Sequence, residues 1–160
     1  MKLTNALAKV TLGVALIAGL SGCRMIGDSG VWSGSAVSRD GFRESYSCNV
    51  EVDITHTEEY VTLHHVATDC GTYAGRWHAG TFEIHGGTVW RNGKAVGWAR
   101  DDGSVTLDIT DPSKFLDNRY PYPASRLMIS WMRVGESLEY TEEAHFPGRV
   151  QKTNGWLRRR

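Results

Sequence analysis

Apolar and polar residues alternate along much of this chain, and the clearest case begins at Tyr46. Tyr46, Cys48, Val50, Val52 and Ile54 fall on one face of an extended segment, while the residues between them are polar. This alternation is typical of a strand half buried in an antiparallel sheet. No long stretch has apolar residues at helical spacing, so the pattern favours an all-β protein.

Short turn sequences separate the β-prone segments. Asn92-Gly93 and Asp102-Gly103 favour the positive φ angles of two-residue hairpin turns. Gly86-Gly87, Gly135-Glu136 and Pro147-Gly148 divide further pairs of segments. We therefore predict strands at 31–37, 43–55, 59–69, 75–85, 88–91, 94–100, 104–110, 125–134, 137–146 and 149–157.

Short strands joined mostly by hairpins favour a single antiparallel meander that closes into a small barrel of about eight to ten strands, because closure removes the exposed edges. Gly75, Gly80 and Gly97 lie inside predicted strands and indicate bulges or bends. The predicted architecture resembles the lipocalin-like, or calycin-like, barrels. The segment Trp32-Ser33-Gly34 resembles, in reversed order, the Gly-x-Trp start of lipocalins. A two-sheet β-sandwich is the alternative.

The segment from Asp111 to Ala124 interrupts the regular spacing of strands and turns. Asp111-Pro112 is a favourable helix start, and a stiff aromatic stretch that includes Tyr120 and Tyr122 follows. A connection of this length within a meander is often functional. We expect it either to plug one end of the barrel or to act as a lid or partner surface.

The first residues have the pattern of an export signal. Lys2 and Lys9 precede an apolar stretch, Val10–Leu20, that is too short to span a bilayer. The sequence Leu20-Ser21-Gly22-Cys23 resembles the lipobox of bacterial lipoproteins. That resemblance implies cleavage before Cys23, fatty acyl chains on Cys23, and a membrane anchor.

The predicted organisation is therefore a signal peptide at 1–22, a lipidated tether at 23–30 and a β-barrel domain at 31–160. The residue after Cys23 is Arg24 and not Asp, and this favours anchoring in the outer membrane, with the domain facing the periplasm or the cell surface. In that oxidising compartment the other two cysteines, Cys48 and Cys70, are expected to form a disulfide bond.

Charge and motifs narrow the function. The formal net charge is zero, which argues against nucleic acid as a partner; Arg158-Arg159-Arg160 is the one basic run, and it could contact anionic lipid. No catalytic signature such as Gly-x-Ser-x-Gly or His-Glu-x-x-His occurs, and the six histidines are scattered. We therefore expect neither an enzyme nor a metal or cofactor site.

Aromatic residues are the most suggestive group. Most should fill the interior, but some can line a pocket for an apolar ligand. The residues predicted to bind such a ligand are Trp77, Trp98, Tyr120, Tyr122, Trp131 and Arg133. The first hypothesis is thus a non-catalytic envelope lipoprotein that binds a small apolar or amphipathic ligand. The second is a protein-interaction module with a solid barrel, either a periplasmic inhibitor or an accessory of envelope assembly.

Overall fold

A computed structural model describes residues 26–41, 45–71, 74–112 and 124–160. The predicted signal peptide, the lipobox-like sequence with Cys23, and the aromatic pair Tyr120 and Tyr122 of the predicted plug or lid lie outside the described residues. The strands are β1 (Gly30–Arg39), β2 (Ser45–His56), β3 (Tyr60–Asp69), β4 (Ala74–Trp77), β5 (Gly80–His85), β6 (Thr88–Arg91), β7 (Lys94–Ala99), β8 (Val105–Thr110), β9 (Arg126–Val134), β10 (Ser137–Phe146) and β11 (Arg149–Arg159). No helix in the described ranges is long and apolar enough to cross a bilayer.

Strand β2 shows why these segments form a sheet. Cys48, Val50, Val52 and Ile54 are each at most 2% exposed, as the alternation predicted. The polar residues between them point to the outer face of the sheet. The half-buried antiparallel strand predicted here is confirmed.

The eleven strands form one antiparallel sheet whose hydrogen bonds run in a closed ring. From β5 to β11 each strand pairs with the next along the chain, β1 then pairs with both β11 and β2, and β2 pairs with β3. The all-β meander is therefore confirmed. The strands form a single sheet and not the two sheets of the alternative β-sandwich. The strands are not spread evenly round one axis, so we describe a closed sheet and not a regular barrel.

The strand predicted over 75–85 is in fact two strands, β4 and β5. Both pair with β3, β4 along Val66–Asp69 and β5 along Tyr60–Leu63. Gly80, at the start of β5, has a φ of 75°, which redirects the chain between them. This break accounts for a strand count above the predicted eight to ten.

The Asn92-Gly93 turn forms with the expected backbone geometry, whereas Asp102-Gly103 lies in a longer connection between Ala99 and Val105, where Gly103 but not Asp102 has a positive φ. Asn92 and Gly93 have φ angles of 51° and 73°, and they join β6 to β7. Two consecutive positive φ values match the twist of the flanking strands, and this explains the preference for Asn-Gly at this point.

The interior of the sheet is filled by large side chains. Trp32, Phe82, Trp131 and Tyr140 are each at most 1% exposed and are surrounded by buried Leu, Ile and Val residues. Each fully buried side chain of this size contributes about 1.5–3 kcal/mol to folding. The pockets of about 630 and 490 Å³ lie outside this core, on the outer face and at one end.

The closed sheet has two ends, which we name by their features. The Asp28 end holds Gly30, the last residues of β2 and β11, and the β9–β10 turn. The disulfide end holds the Cys48–Cys70 bond, which joins β2 to the end of β3 with Cα atoms 4.0 Å apart and confirms the predicted pairing. Thr110 and Arg126, which flank the 111–124 segment, are opposite one another at the disulfide end.

Candidate functional site: a polar groove on the outer face

A groove of about 630 Å³ lies on the outer face of β1 to β4. The strand register places its lining residues in two rows that cross these strands. One row is Ser33, Glu51, Ala67 and Arg76, and the other is Ser35, Asn49, Asp69 and Ala74. Most of these side chains are short, so the surface between the longer ones is recessed.

Glu51 is the fixed negative charge of the groove. Its carboxylate accepts a hydrogen bond from the His65 ring at 2.9 Å and forms an ion pair with Arg160 at 2.7 Å. The hydrogen bond with His65, reinforced by the charge of Arg160, holds the pKa of Glu51 below its ordinary value of 4.5. Glu51 is therefore ionised at neutral pH.

Arg76 supplies a positive charge at the β4 side of the groove. Among the described residues no hydrogen-bond or ion-pair partner lies within reach of its guanidinium. Asp69, in the neighbouring row, uses one carboxylate oxygen to accept the Gly71 amide at 2.9 Å. The groove thus offers both signs of charge together with Ser and Asn hydrogen-bonding groups.

An exposed tryptophan borders the groove on the β11 side. Ser33 is opposite Arg158 and Ala36 is opposite Gly155, and this register places Trp156 beside Ser35. Its side chain is 55% exposed, the highest value among the large apolar residues described. The groove and Trp156 together form one continuous outer surface, which we call the groove surface.

The described lining residues of the groove include serines but no histidine or cysteine. Glu51 is engaged by His65 and Arg160. The available groups can donate and accept hydrogen bonds and can pair with charges of either sign.

A second polar cluster, fully buried, closes the Asp28 end. The Nδ1 atom of His56 lies 2.9 Å from both carboxylate oxygens of Asp28 and donates to them. The indole of Trp131 also donates to Asp28, and that of Trp32 donates to its backbone carbonyl at 2.6 Å. Asp28 is 1% exposed, so these donors replace the water that the carboxylate has lost.

The same cluster fixes the chain just before β1. The Ile26 amide donates to the His56 carbonyl at 2.7 Å, and the Ser29 hydroxyl donates to that carbonyl at 3.0 Å. The last residues of the predicted tether, 26–29, are therefore packed against the sheet.

Of the predicted ligand-binding residues, those in the described part of the chain lie on β4, β7 and β9. Trp77 on β4 and Trp131 on β9 are buried, at 2% and 1% exposure, within the hydrophobic core. Trp98 is 40% exposed on the outer face of β7. Arg133 does not enter the core: at the Asp28 end it donates to the carbonyl oxygens of Gly27 and Gly135, each at 2.8 Å.

The histidines also have separate partners. His65 bonds to Glu51, whereas the ring of His78 contacts the carbonyl oxygen of His64. Within the described ranges no three His, Cys, Asp or Glu side chains lie close enough together to hold a metal ion.

Sequence reasoning missed the groove and the Asp28 cluster. The alternation of β2 did place Asn49 and Glu51 on the outer face, but their neighbours on β1, β3 and β4 depend on register. For Asp28 the sequence carried no comparable signal, because it precedes the first β-prone segment.

No protein-family model matches this chain, and no curated protein matches it either.

Proposed function

We propose that the protein is a non-catalytic interaction protein of the bacterial envelope, anchored by lipid on Cys23, which binds another protein through the groove surface. The observation that carries the proposal is the recessed polar groove beside the exposed Trp156. The lipobox-like sequence before Cys23 supports export and anchoring, with the outer membrane as the favoured site.

The filled interior favours this hypothesis over a small apolar ligand. Such a ligand needs a concave, mostly apolar pocket of several hundred Å³. In the described part of the chain Trp77 and Trp131 are packed into the core, and polar or charged residues predominate among those that line the groove of about 630 Å³. A partner with hydrogen-bonding groups fits that surface better than an apolar molecule.

The composition of the groove surface favours a protein partner. Tryptophan and arginine are enriched among the residues that dominate protein–protein binding energy, and Trp156 and Arg76 are both accessible here. Glu51 and Arg76 present opposite charges in one row, which sets the register of a partner with complementary charges.

Site-specific photo-crosslinking in the producing cell tests the groove. A photoreactive amino acid at Ser35 or Ser33 should give one discrete adduct of the same size. The matched positions Thr106 and Ser130, which point outward on β8 and β9, should give none. Asn49→Arg fills the middle of the groove and should abolish the adduct at Ser35, while the stability of the protein stays unchanged.

Two results would overturn the groove assignment. One is equal crosslinking from Ser35 and Thr106, and the other is an adduct that survives Asn49→Arg. Should no adduct form while the purified protein binds peptidoglycan fragments, the partner is a glycan and the protein-interaction proposal is wrong.

The anchor is tested separately. Cys23→Ala should give a protein that no longer incorporates radiolabelled palmitate, since the acceptor thiol is gone. The control is the double variant Cys48→Ser/Cys70→Ser, which should keep its label. Unchanged labelling of Cys23→Ala would show that the lipid is not on this residue.

A further inference from the structure

We infer that the Asp28 end is a docking face for anionic lipid headgroups, with Arg133, Arg158 and Arg159 as the phosphate-binding residues. This inference uses the anchor on Cys23 from the proposed function to explain orientation. It goes beyond that function because the arginines would bind the bilayer without the acyl chains.

The position of the chain start determines which end faces the bilayer. Ile26 is held by the His56 carbonyl, and Asp28 is buried beneath it. Three residues of extended chain span at most about 10 Å, so a lipid on Cys23 would hold the Asp28 end within that distance of the membrane surface.

The arginines surround the point at which the chain enters the sheet. Arg133, Arg158 and Arg159 line an open pocket of about 490 Å³ together with Trp32, Glu136 and Ser137. Arg133 also borders a neighbouring pocket of about 250 Å³ beside Gly27. Three guanidinium groups therefore lie where the lipid tether leaves the domain.

These guanidinium groups have no carboxylate partner among the described residues. Arg133 donates to two backbone carbonyls, and no hydrogen bond or ion pair engages Arg158 or Arg159. Arg160 differs, because Glu51 neutralises it. An arginine without an acid beside it keeps its donors available for an external anion.

Two exposed carboxylates face the same end. Glu136 lines the 490 Å³ pocket, and Asp102 borders the smaller one. Hydrogen bonds from the Ser104 side chain and from the Ser104 amide, the latter at 2.8 Å, lower the pKa of Asp102 below its ordinary value of 3.8. Neither carboxylate forms an ion pair with the three arginines in the described structure, so they reduce the attraction for anions without blocking it.

The chemistry of arginine suits a phosphate headgroup. Its planar guanidinium can donate two parallel hydrogen bonds to phosphate oxygens, and it loses less hydration energy than an ammonium group does. Each basic residue near an anionic bilayer strengthens binding by about fivefold. A face with three arginines would fix the orientation of a protein that its acyl chains already hold at the surface.

Vesicle sedimentation with the protein from Arg24 onward tests this inference independently of the anchor. That chain contains every strand and core residue of the closed sheet, so it is expected to fold without residues 1–23. It should sediment with vesicles of equal parts phosphatidylglycerol and phosphatidylcholine at low ionic strength, and not with phosphatidylcholine alone. Binding should weaken as salt is added.

Matched charge variants locate the binding face. Arg158→Gln/Arg159→Gln should weaken binding to the anionic vesicles by about 25-fold, from two losses of about fivefold each. The control Arg39→Gln/Arg149→Gln removes two charges at the disulfide end and should change binding less than twofold. Glu136→Gln should strengthen binding, because it removes a negative charge from the same pocket. Near-UV circular dichroism establishes that each variant is folded.

Several outcomes would overturn the inference. One is equal binding to anionic and to pure phosphatidylcholine vesicles. Another is an equal loss of vesicle binding in Arg158→Gln/Arg159→Gln and in Arg39→Gln/Arg149→Gln, and a third is weaker vesicle binding by Glu136→Gln. A further test adds glycerol phosphate at a concentration equal to that of the lipid phosphate. Release of the protein from the vesicles under this condition would mean that the arginines bind free phosphate esters and not a membrane surface. The vesicle assays contain no partner protein, so none of these results tests the protein binding proposed for the groove.

Discussion

At the scale of single residues, the buried carboxylate of Asp28 links three parts of the chain that are distant in sequence. His56 at the end of β2 and Trp131 on β9 both donate to it, and Trp32 on β1 donates to its backbone. A buried carboxylate is tolerated only when such donors surround it. Removal of the acid takes this acceptor from His56 and Trp131 inside the protein.

We therefore predict that Asp28→Ala lowers the free energy of unfolding by about 3–5 kcal/mol. The loss should be measured by urea unfolding followed by tryptophan fluorescence. The control is Asp101→Ala, because Asp101 is exposed in the β7–β8 turn and a change there should stay within about 0.5 kcal/mol. Equal effects of the two substitutions would show that the Asp28 cluster is not a structural unit.

A second residue-scale prediction concerns acid stability. Arg126 donates two hydrogen bonds to Asp108, at 2.7 and 2.6 Å, and this interaction holds the pKa of Asp108 below its ordinary value of 3.8. The ionised carboxylate therefore stabilises the fold fully above pH 3.8, and the contribution disappears as the pH falls through the lower folded-state pKa.

Asp108→Asn should accordingly flatten the loss of stability below pH 3.8, at a cost of less than about 1 kcal/mol at neutral pH. Arg126→Gln should remove the same pH-dependent part, since it deletes the other partner. Urea midpoints measured from pH 2 upward provide the comparison. If the urea midpoint of either variant depended on pH in the same way as that of the parent protein, the Asp108–Arg126 pair would not be the source of this acid sensitivity.

At the scale of elements, alternation and turn chemistry predicted nearly every strand. Strand β2 and the Asn92-Gly93 turn formed as expected, because both depend on local preferences. The split of 75–85 into β4 and β5 was not predicted, since it results from the pairing of both segments with β3. Gly80 carried the signal, but a glycine within a strand does not distinguish a bulge from a break.

Gly97 shows how closely neighbouring strands approach. A Cβ atom at this position would collide with the carbonyl oxygen of Thr106 on β8. Gly97→Ala should therefore push β7 from β8 and destabilise the protein by about 1–3 kcal/mol, measured as a shift of the urea midpoint. The control is Gly41→Ala, where the nearest atom is 3.7 Å away and the midpoint should not fall.

The disulfide connects two elements at the end opposite Asp28. It closes a loop with a sequence separation of 22, for which chain entropy predicts a stabilisation of about 3 kcal/mol. Cys48→Ser/Cys70→Ser should lose that amount in urea unfolding and keep its secondary structure. Thiol titration of the unreduced, denatured parent protein should find neither Cys48 nor Cys70 free, and two reactive thiols would refute the bond.

At the scale of the whole molecule, the sequence was sufficient for the all-β meander and insufficient for the regular barrel geometry or the site. The meander follows from the order of strands and hairpins, each of which is a local property. The groove surface depends on which outer residues of β1 to β4 become neighbours, as Glu51 does with Ser33 and Ala67. Register across strands distant in sequence is a property of the assembled sheet, so no local pattern contains it.

The seam between β1 and β11 has a consequence for how the protein reaches its folded state. These strands begin and end the sheet in the chain, and Trp32 is paired with Arg159. Until the last segment has been delivered, β1 presents an unpaired edge, and such edges are prone to pair with other chains. The ring therefore closes only after β11 is available, and its distant strand pairings make that step slow. A factor that shields β1 during this interval would reduce aggregation without any effect on the finished fold.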